Sequence, residues 1–67
     1  MNLTINGVKM KIPKTVQTVT DLIDHLELSS PVIIVEHNEV ILQNEIHGQV
    51  SVSEGDKIEF VQFVGGG

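Results

Sequence analysis

The sequence contains no cysteine, arginine, alanine, tryptophan or tyrosine, and its only aromatic residues are two phenylalanines. Without cysteine the chain has no disulfide and no thiol nucleophile, which fits a reducing compartment such as the cytoplasm. Four lysines stand against nine acidic residues, which gives a net charge of -5 at pH 7. Because nucleic-acid binding needs clustered basic residues, this balance argues against it and favours a more basic protein partner.

Long apolar stretches are also missing. The longest run covers residues 32–35, far short of the roughly 20 residues of a membrane-spanning helix. The N-terminus lacks the profile of a signal peptide. With 67 residues, 40% of them apolar, the chain is sufficient for one small domain with a single core and predicts no membrane contact.

Alternating polar and apolar residues predict a β-hairpin at the start of the chain. We expect strands over residues 2–5 and 8–12, joined by Asn6 and Gly7, a pair that accepts the positive φ angles of a tight turn. The alternation places five apolar side chains on one buried face: Leu3, Ile5, Val8, Met10 and Ile12. Pro13 has no backbone N–H and therefore ends the second strand.

A single amphipathic helix is predicted after the hairpin. Its apolar residues recur at the spacing i, i+3, i+4 and i+7, at Val19, Leu22, Ile23 and Leu26. Thr18 is the expected N-cap, and Asp21 follows three residues later, where the helix dipole favours an acid. We expect the helix over residues 19–28.

Extended segments are expected after the helix. They cover residues 32–35, 40–42 and 57–64, with turns near residues 37–39 and 54–56 and a shorter alternating stretch at residues 50–52. The order of a hairpin, a helix and further strands predicts an α+β fold in which a mixed sheet packs around one helix.

The usual catalytic and metal-binding patterns are missing. No nucleophile-elbow motif surrounds any of the serines. His25, His37 and His47 lie twelve and ten residues apart, without metal-ligand spacing, and are expected to be solvated side chains. Glu36 and Glu39 could lie close together, but a chain this small can hardly enclose a substrate pocket. The sequence therefore predicts a protein that is not an enzyme and binds no metal.

The C-terminal end is the feature that indicates chemistry. The last three residues are Gly65, Gly66 and Gly67, and we expect a free carboxylate to follow this backbone without side chains. Three extended residues reach about 10 Å, enough to enter a narrow channel in another protein. We expect residues 1–64 to form the domain and residues 65–67 to form a flexible tail. The alternative is a simple binding module with an inert tail.

The last strand predicts a docking surface beside this tail. Ile58 and Phe60 belong to one face of the strand, whereas Val61 and Phe63 belong to the other, mostly polar face. Two apolar side chains next to the tail are typical of a surface that contacts a protein partner. The outer face of the strand at residues 32–35 could extend it. The alternative is a β-bulge near Val61 that turns one of the two side chains inward.

Together these features resemble the ThiS/MoaD family of ubiquitin-like β-grasp sulfur carriers, and most closely its thiamine-biosynthesis branch, ThiS. The resemblance covers the whole chain and is strongest at residues 54–58, at residues 59–64 and at the final Gly66 and Gly67. It implies a β-grasp fold, a mixed sheet of four to five strands around one helix. MoaD shares the Gly-Gly end, so a carrier for molybdopterin or another sulfur-containing metabolite is the alternative.

The resemblance also implies a mechanism and partners. A ThiF-like adenylyltransferase, which uses ATP and magnesium, is expected to adenylate the carboxylate of Gly67 while Gly65 and Gly66 thread into its channel. Sulfur from a cysteine desulfurase relay then displaces AMP and leaves a thiocarboxylate, 1-thioglycine, on Gly67. A ThiG-like synthase receives this sulfur for the thiazole ring. The carrier itself is expected to bind no cofactor and to act in the cytoplasm.

Overall fold

The computed structural model describes residues 1–29, 32–43 and 46–63. Its elements are β1 (Asn2–Ile5), β2 (Val8–Lys11), α1 (Val19–His25), β3 (Val32–His37), β4 (Val40–Leu42) and β5 (Lys57–Phe63). The strands form one five-stranded sheet in the order β2-β1-β5-β3-β4. Among the described strand pairs, β1 and β5 are parallel and the others are antiparallel. The predicted mixed sheet with one helix is confirmed, whereas the predicted domain boundary at residues 64 and 65 lies outside the described ranges.

The first hairpin forms as its sequence predicts, except at one position. Asn6 and Gly7 have positive φ angles of 49° and 82° and join β1 to β2. Leu3 and Ile5 are buried on the inner face. Val8 was predicted to be buried with them, and this is wrong, because its side chain is 59% exposed. It lies beside the turn on an edge strand, where the sheet provides a neighbour on one side only.

The start of α1 is fixed by its predicted cap. The hydroxyl of Thr18 accepts a hydrogen bond from the N–H of Asp21 at 3.1 Å, and the Asp21 carboxylate accepts one from the N–H of Thr18 at 3.2 Å. This reciprocal pair is a capping box, which satisfies backbone donors that have no partner inside the helix. The Asp21 carboxylate also accepts the N–H of Gln17.

The helix ends at His25, three residues before the predicted end. Glu27 has a left-handed φ of 58°, which the helical spacing of apolar residues does not reveal. The N–H groups of Glu27 and Leu28 bond back to the carbonyls of Asp24 and Ile23 at 3.1 Å each. This is the Schellman pattern of a helix end, formed here around a residue other than glycine.

One core lies between the helix and the inner face of the sheet. The largest fully buried side chains come from β1, α1, β3 and β5: Leu3, Leu22, Ile58, Val19 and Val35. The predicted helical stripe therefore faces the core, with Ile23 and Leu26 packed at its margin. Within the described residues there is no helix with the length and hydropathy needed to cross a membrane.

β3 is longer than the apolar run that predicted it. β3 continues two residues beyond Val35, because Glu36 and His37 remain paired with β5. The turn into β4 is made by Asn38 and Glu39, with φ angles of 48° and 72°. The alternating stretch at residues 50–52 forms no strand and contributes one isolated bridge, between Thr18 and Ser51.

Candidate functional site

The strand that precedes the predicted tail lies in the middle of the sheet. β5 is flanked by β1 on one side and by β3 on the other. Its pairing with β1 is short and parallel, at Thr4↔Lys57 and Ile5↔Ile58. Its pairing with β3 is antiparallel and extends to Phe63, opposite Val32. The last described residues of the chain are therefore held by a neighbouring strand.

Asn6 extends the support of β5 beyond the end of β1. Its side-chain Oδ1 accepts the N–H of Phe60 at 2.7 Å, and its Nδ2 donates to the carbonyl of Phe60 at 3.2 Å. Its backbone N–H donates to the carbonyl of Ile58 at 2.9 Å. The Asn6 side chain thus makes the two hydrogen bonds to β5 that the backbone of one further strand residue would make. The sequence pattern indicated only its role in the turn.

Asn38 supports β5 from the opposite side in a similar way. Its backbone N–H donates to the carbonyl of Lys57 at 2.8 Å, and its Oδ1 accepts the N–H of Lys57 at 2.9 Å. Both asparagines are the first residue of a two-residue turn with positive φ. Each turn therefore also holds the central strand, and we call Asn6 and Asn38 the two asparagine clamps.

A histidine and an aspartate connect the β3–β4 turn to the start of β5. Nε2 of His37 lies 2.8 Å from Oδ2 of Asp56, and the same oxygen accepts the N–H of Ser53 at 2.8 Å. The other oxygen, Oδ1, accepts Nδ2 of Asn38 at 3.2 Å. Partial burial opposes the ionised form of Asp56, but the hydrogen bonds from His37, Ser53 and Asn38 outweigh it and hold the pKa below its usual value.

This carboxylate predicts an acid-dependent loss of stability. Since the folded pKa of Asp56 lies below the unfolded value of about 3.9, its stabilisation is complete above that value and is lost as the pH falls through the folded pKa. We expect Asp56→Asn to be less stable than wild type at pH 7 and to lose less stability on acidification. Urea unfolding between about pH 7 and about pH 3 measures this.

The matched control is Asp24→Asn, which removes an exposed carboxylate from α1. We expect it to follow the wild-type acid dependence. The same acid dependence in Asp56→Asn and wild type would contradict the assignment.

The three histidines do not share one environment, which corrects the prediction that all are solvated. His25 is exposed at the end of α1. His37 is half-buried and bonded to Asp56, because β3 extends through it. His47 is buried because its backbone packs at the start of α1, where its carbonyl accepts the N–H of Thr20. In the described part of the chain its Nε2 has no hydrogen-bond partner. Within the same part there is no group of three or more metal-ligating side chains.

The predicted docking residue Val61 lies on the outer face of the sheet. The β3–β5 register runs without a break from His37↔Ile58 to Val32↔Phe63, which excludes the alternative of a β-bulge near Val61. Val61 is 51% exposed and lies directly opposite Ile34, which is 38% exposed. The surface therefore continues onto β3, and its role in docking stays a prediction.

The remaining predicted site residues fall outside what the structure describes. These are the side chain of Phe63 and the whole of Gly65, Gly66 and Gly67. Their predicted roles in docking, threading and modification are taken up below as proposals.

Comparison with known proteins identifies the family. The sequence model of the ThiS family matches residues 3–67, and the match therefore includes the final glycines. The chain belongs to the ThiS family. The sulfur carrier protein ThiS of Bacillus subtilis (strain 168) is 38% identical over 65 residues, which cover 97% of this chain and 98% of that protein.

A solved ThiS structure has the same fold. The crystal structure of thiamine biosynthesis protein ThiS from Geobacter metallireducens matches with a TM-score of 0.85 and 35% identity, over the full length of both chains. A thiazole synthase of Paramagnetospirillum magneticum (strain ATCC 700264 / AMB-1) is 39% identical over all 67 residues, which span 20% of that longer protein.

These matches confirm the fold and the general function expected from the sequence. ThiS-family membership confirms the β-grasp fold and the role of a sulfur carrier in thiamine biosynthesis, which is not that of an enzyme. It favours thiamine biosynthesis over the molybdopterin alternative.

Proposed function

We propose that this ThiS-family chain carries sulfur as a thiocarboxylate on Gly67. In the first step, a ThiF-like adenylyltransferase binds ATP and magnesium, and the Gly67 carboxylate attacks the α-phosphorus. Pyrophosphate leaves, and Gly67 becomes an acyl-adenylate. In the second step, a cysteine desulfurase relay supplies sulfur as a persulfide, a thiol reductant releases it at the oxidation level of sulfide, and this sulfur attacks the carbonyl carbon as AMP leaves. The family match that extends through Gly67 carries this proposal.

The support of β5 gives this chemistry a physical basis. An ionised carboxylate reacts slowly unless it is activated and held in position. Here the final residues follow a strand that is bonded on both sides, at Phe60 by Asn6 and at Lys57 by Asn38. A partner that binds the folded domain therefore also fixes the position from which the tail begins. Gly65 and Gly66 carry no side chain that would block a narrow channel.

Docking through Val61 and Phe63 sets a limit on the distance to the reaction centre. Gly67 lies six residues after Val61, and six extended residues span at most about 20 Å. A partner that contacts Val61 must therefore hold its reactive centre within that distance. We propose the adenylyltransferase as this partner, acting in the cytoplasm, where ATP is available and thiols stay reduced.

We propose a ThiG-like thiazole synthase as the acceptor of the sulfur. The thiazole synthase of Paramagnetospirillum magneticum supports this, because a segment similar to this whole chain forms one fifth of its length. A carrier segment within a synthase chain keeps the sulfur donor and its acceptor at high effective concentration.

The test of the proposal is a change in the intact mass of the chain. We expect incubation with a ThiF-like adenylyltransferase, magnesium ATP, cysteine, a cysteine desulfurase and a thiol reductant to replace one oxygen of Gly67 by sulfur, and to do so only when ATP is present. The ThiS of Bacillus subtilis serves as the control carrier. An unchanged mass under conditions that charge this control would refute the proposal and favour a binding module with an inert tail.

A further inference from the structure

The strand β2 forms one edge of the sheet and is basic. Among the described strands it pairs with β1 alone, so its other side has no neighbouring strand. It carries two of the four lysines of the chain, Lys9 and Lys11, and no acidic residue. Both lysines are exposed, and in residues 1–29, 32–43 and 46–63 neither belongs to an ion pair. This edge is therefore a basic strip on a chain whose net charge is -5.

The backbone groups of the two lysines point away from the sheet. At the end of the hairpin the ammonium of Met1 donates to the carbonyl of Ile12 at 2.9 Å, and the N–H of Ile12 donates to the carbonyl of Met1 at 2.8 Å. Bonded and non-bonded pairs alternate along antiparallel strands, so the next residue of β2 that bonds to β1 is Met10. The N–H and carbonyl groups of Lys9 and Lys11 consequently lie on the open side of the strand, where a further strand could bond to them.

The inner side of the same strand offers apolar contacts. Val8 and Met10 share the face that packs towards the core, yet Val8 is 59% exposed and Met10 is only half-buried. A strand added to β2 would cover both, since side chains directly opposite have Cβ atoms about 4.5–5.5 Å apart. Lys9 and Lys11 belong to the outer face, where side chains of the added strand would meet two ammonium groups.

The two lysines also determine which kind of strand can pair with β2. A second copy of the chain, paired through its own β2, would bring the lysines of both copies together, and like charges directly opposite destabilise a sheet. Lysines on an edge strand are a common device against such self-association. An acidic strand is instead attracted by the same charges, because each lysine gains a carboxylate partner.

We propose that the edge of β2 binds an extended, acidic segment of a protein partner, which adds to the sheet as a further strand. The segment alternates apolar and acidic residues, with apolar side chains against Val8 and Met10 and carboxylates against Lys9 and Lys11. Main-chain hydrogen bonds to the two lysines provide affinity, and the alternation provides specificity. Because β1 separates this edge from β5 and the tail, the inference does not depend on the proposed function.

A synthetic peptide tests this edge directly. The probe is a peptide of alternating valine and glutamate with blocked termini, and the control peptide has lysine in place of glutamate. Each is titrated into the isotope-labelled chain and followed by NMR. We expect only the acidic peptide to bind, and to slow the solvent exchange of the N–H groups of Lys9 and Lys11. Those of Val8 and Met10, which already bond to β1, should change little.

Two double variants with the same net charge test the role of the lysines. Lys9→Gln/Lys11→Gln removes the two charges of β2, whereas Lys14→Gln/Lys57→Gln removes the other two of the chain. Lys14 interacts electrostatically with Glu54, and Lys57 belongs to the central strand β5. We expect the β2 variant to bind the acidic peptide at least about fivefold more weakly than wild type, and the control to bind within about twofold of it.

The apolar contact is tested with a second matched pair, Val8→Ala and Val40→Ala. Each valine begins a strand after a two-residue turn, and their exposed fractions are 59% and 60%. Val40 lies on β4, at the opposite edge of the sheet. We expect about threefold weaker binding of the acidic peptide for Val8→Ala and no change for Val40→Ala, because only Val8 contacts the added strand.

Three results would overturn the inference. One is no binding of the acidic peptide, in which case the lysines only protect the edge from self-association. Another is binding without slower exchange at Lys9 and Lys11, which would show an electrostatic contact without strand pairing. The third is equal weakening in the two double lysine variants. The intact-mass test of Gly67 is independent of all three, so the inference and the proposed function stand or fail separately.

Discussion

Deletion of Gly67 is expected to abolish the formation of the thiocarboxylate while the fold remains intact. The deletion leaves a carboxylate on Gly66, but this carboxylate is displaced by one residue, about 3.5 Å, from the position the partner has evolved to hold. A displacement of about 1 Å in a reacting group already lowers rates about 100-fold. We therefore expect a loss of at least about 100-fold in the rate of charging, followed by intact mass.

The control for this deletion is the stability of the folded chain. Among the described residues, the fully buried side chains all precede Val61, and Gly67 has no side chain that could belong to the core. Urea unfolding of the variant should match that of wild type. Addition of one residue after Gly67 provides a second test, because it moves the terminal carboxylate in the opposite direction. Normal charging of either variant would contradict the role of Gly67 and favour an inert tail.

Leu22→Ala is expected to produce a large loss of stability. Leu22 is fully buried on α1, in the layer between the helix and the sheet. Truncation of a buried leucine costs about 2–5 kcal/mol, from lost transfer energy and the remaining cavity. A domain of this size has a free energy of unfolding of about 3–10 kcal/mol, so the variant should lose a large share of its stability at 25 °C.

Ile41→Ala is the matched control, because isoleucine and leucine have the same number of carbon atoms and Ile41 is 69% exposed. We expect it to change the free energy of unfolding by less than about 0.5 kcal/mol, as measured by urea unfolding. Equal losses in the two variants would show that the core does not lie between α1 and the inner face. Charging of Leu22→Ala should fall with its folded fraction, since docking requires the assembled sheet.

The elements that the sequence predicted well depend on local signals. The Asn6-Gly7 turn, the Thr18 cap and the alternation in β5 are each determined by a few adjacent residues. The family resemblance added the β-grasp class, a mixed sheet of four to five strands around one helix, whereas the order of the strands is known only from the structure. The exposed position of Val61 followed from the alternation because no bulge interrupts the register.

The features that the sequence did not predict depend on neighbours in space. Val8 fits the alternation of polar and apolar residues, but it lies on the edge strand β2, and its side chain is exposed. The helix ends early because Glu27 accepts a left-handed φ, a conformation that no apolar spacing indicates. The opposition of Glu36 and Glu59 arises from a register between strands that are far apart in the sequence.

The two asparagine clamps also determine how the protein withstands a mechanical load. Under the proposed function a partner draws the terminal glycines into its channel, and tension then acts along the axis of β5. The bonds from Asn6 to Phe60 and from Asn38 to Lys57 lie across that axis, together with those of the adjoining strands. They are therefore loaded in shear and share the force, so that the end of the chain can be pulled without peeling the strand from the sheet.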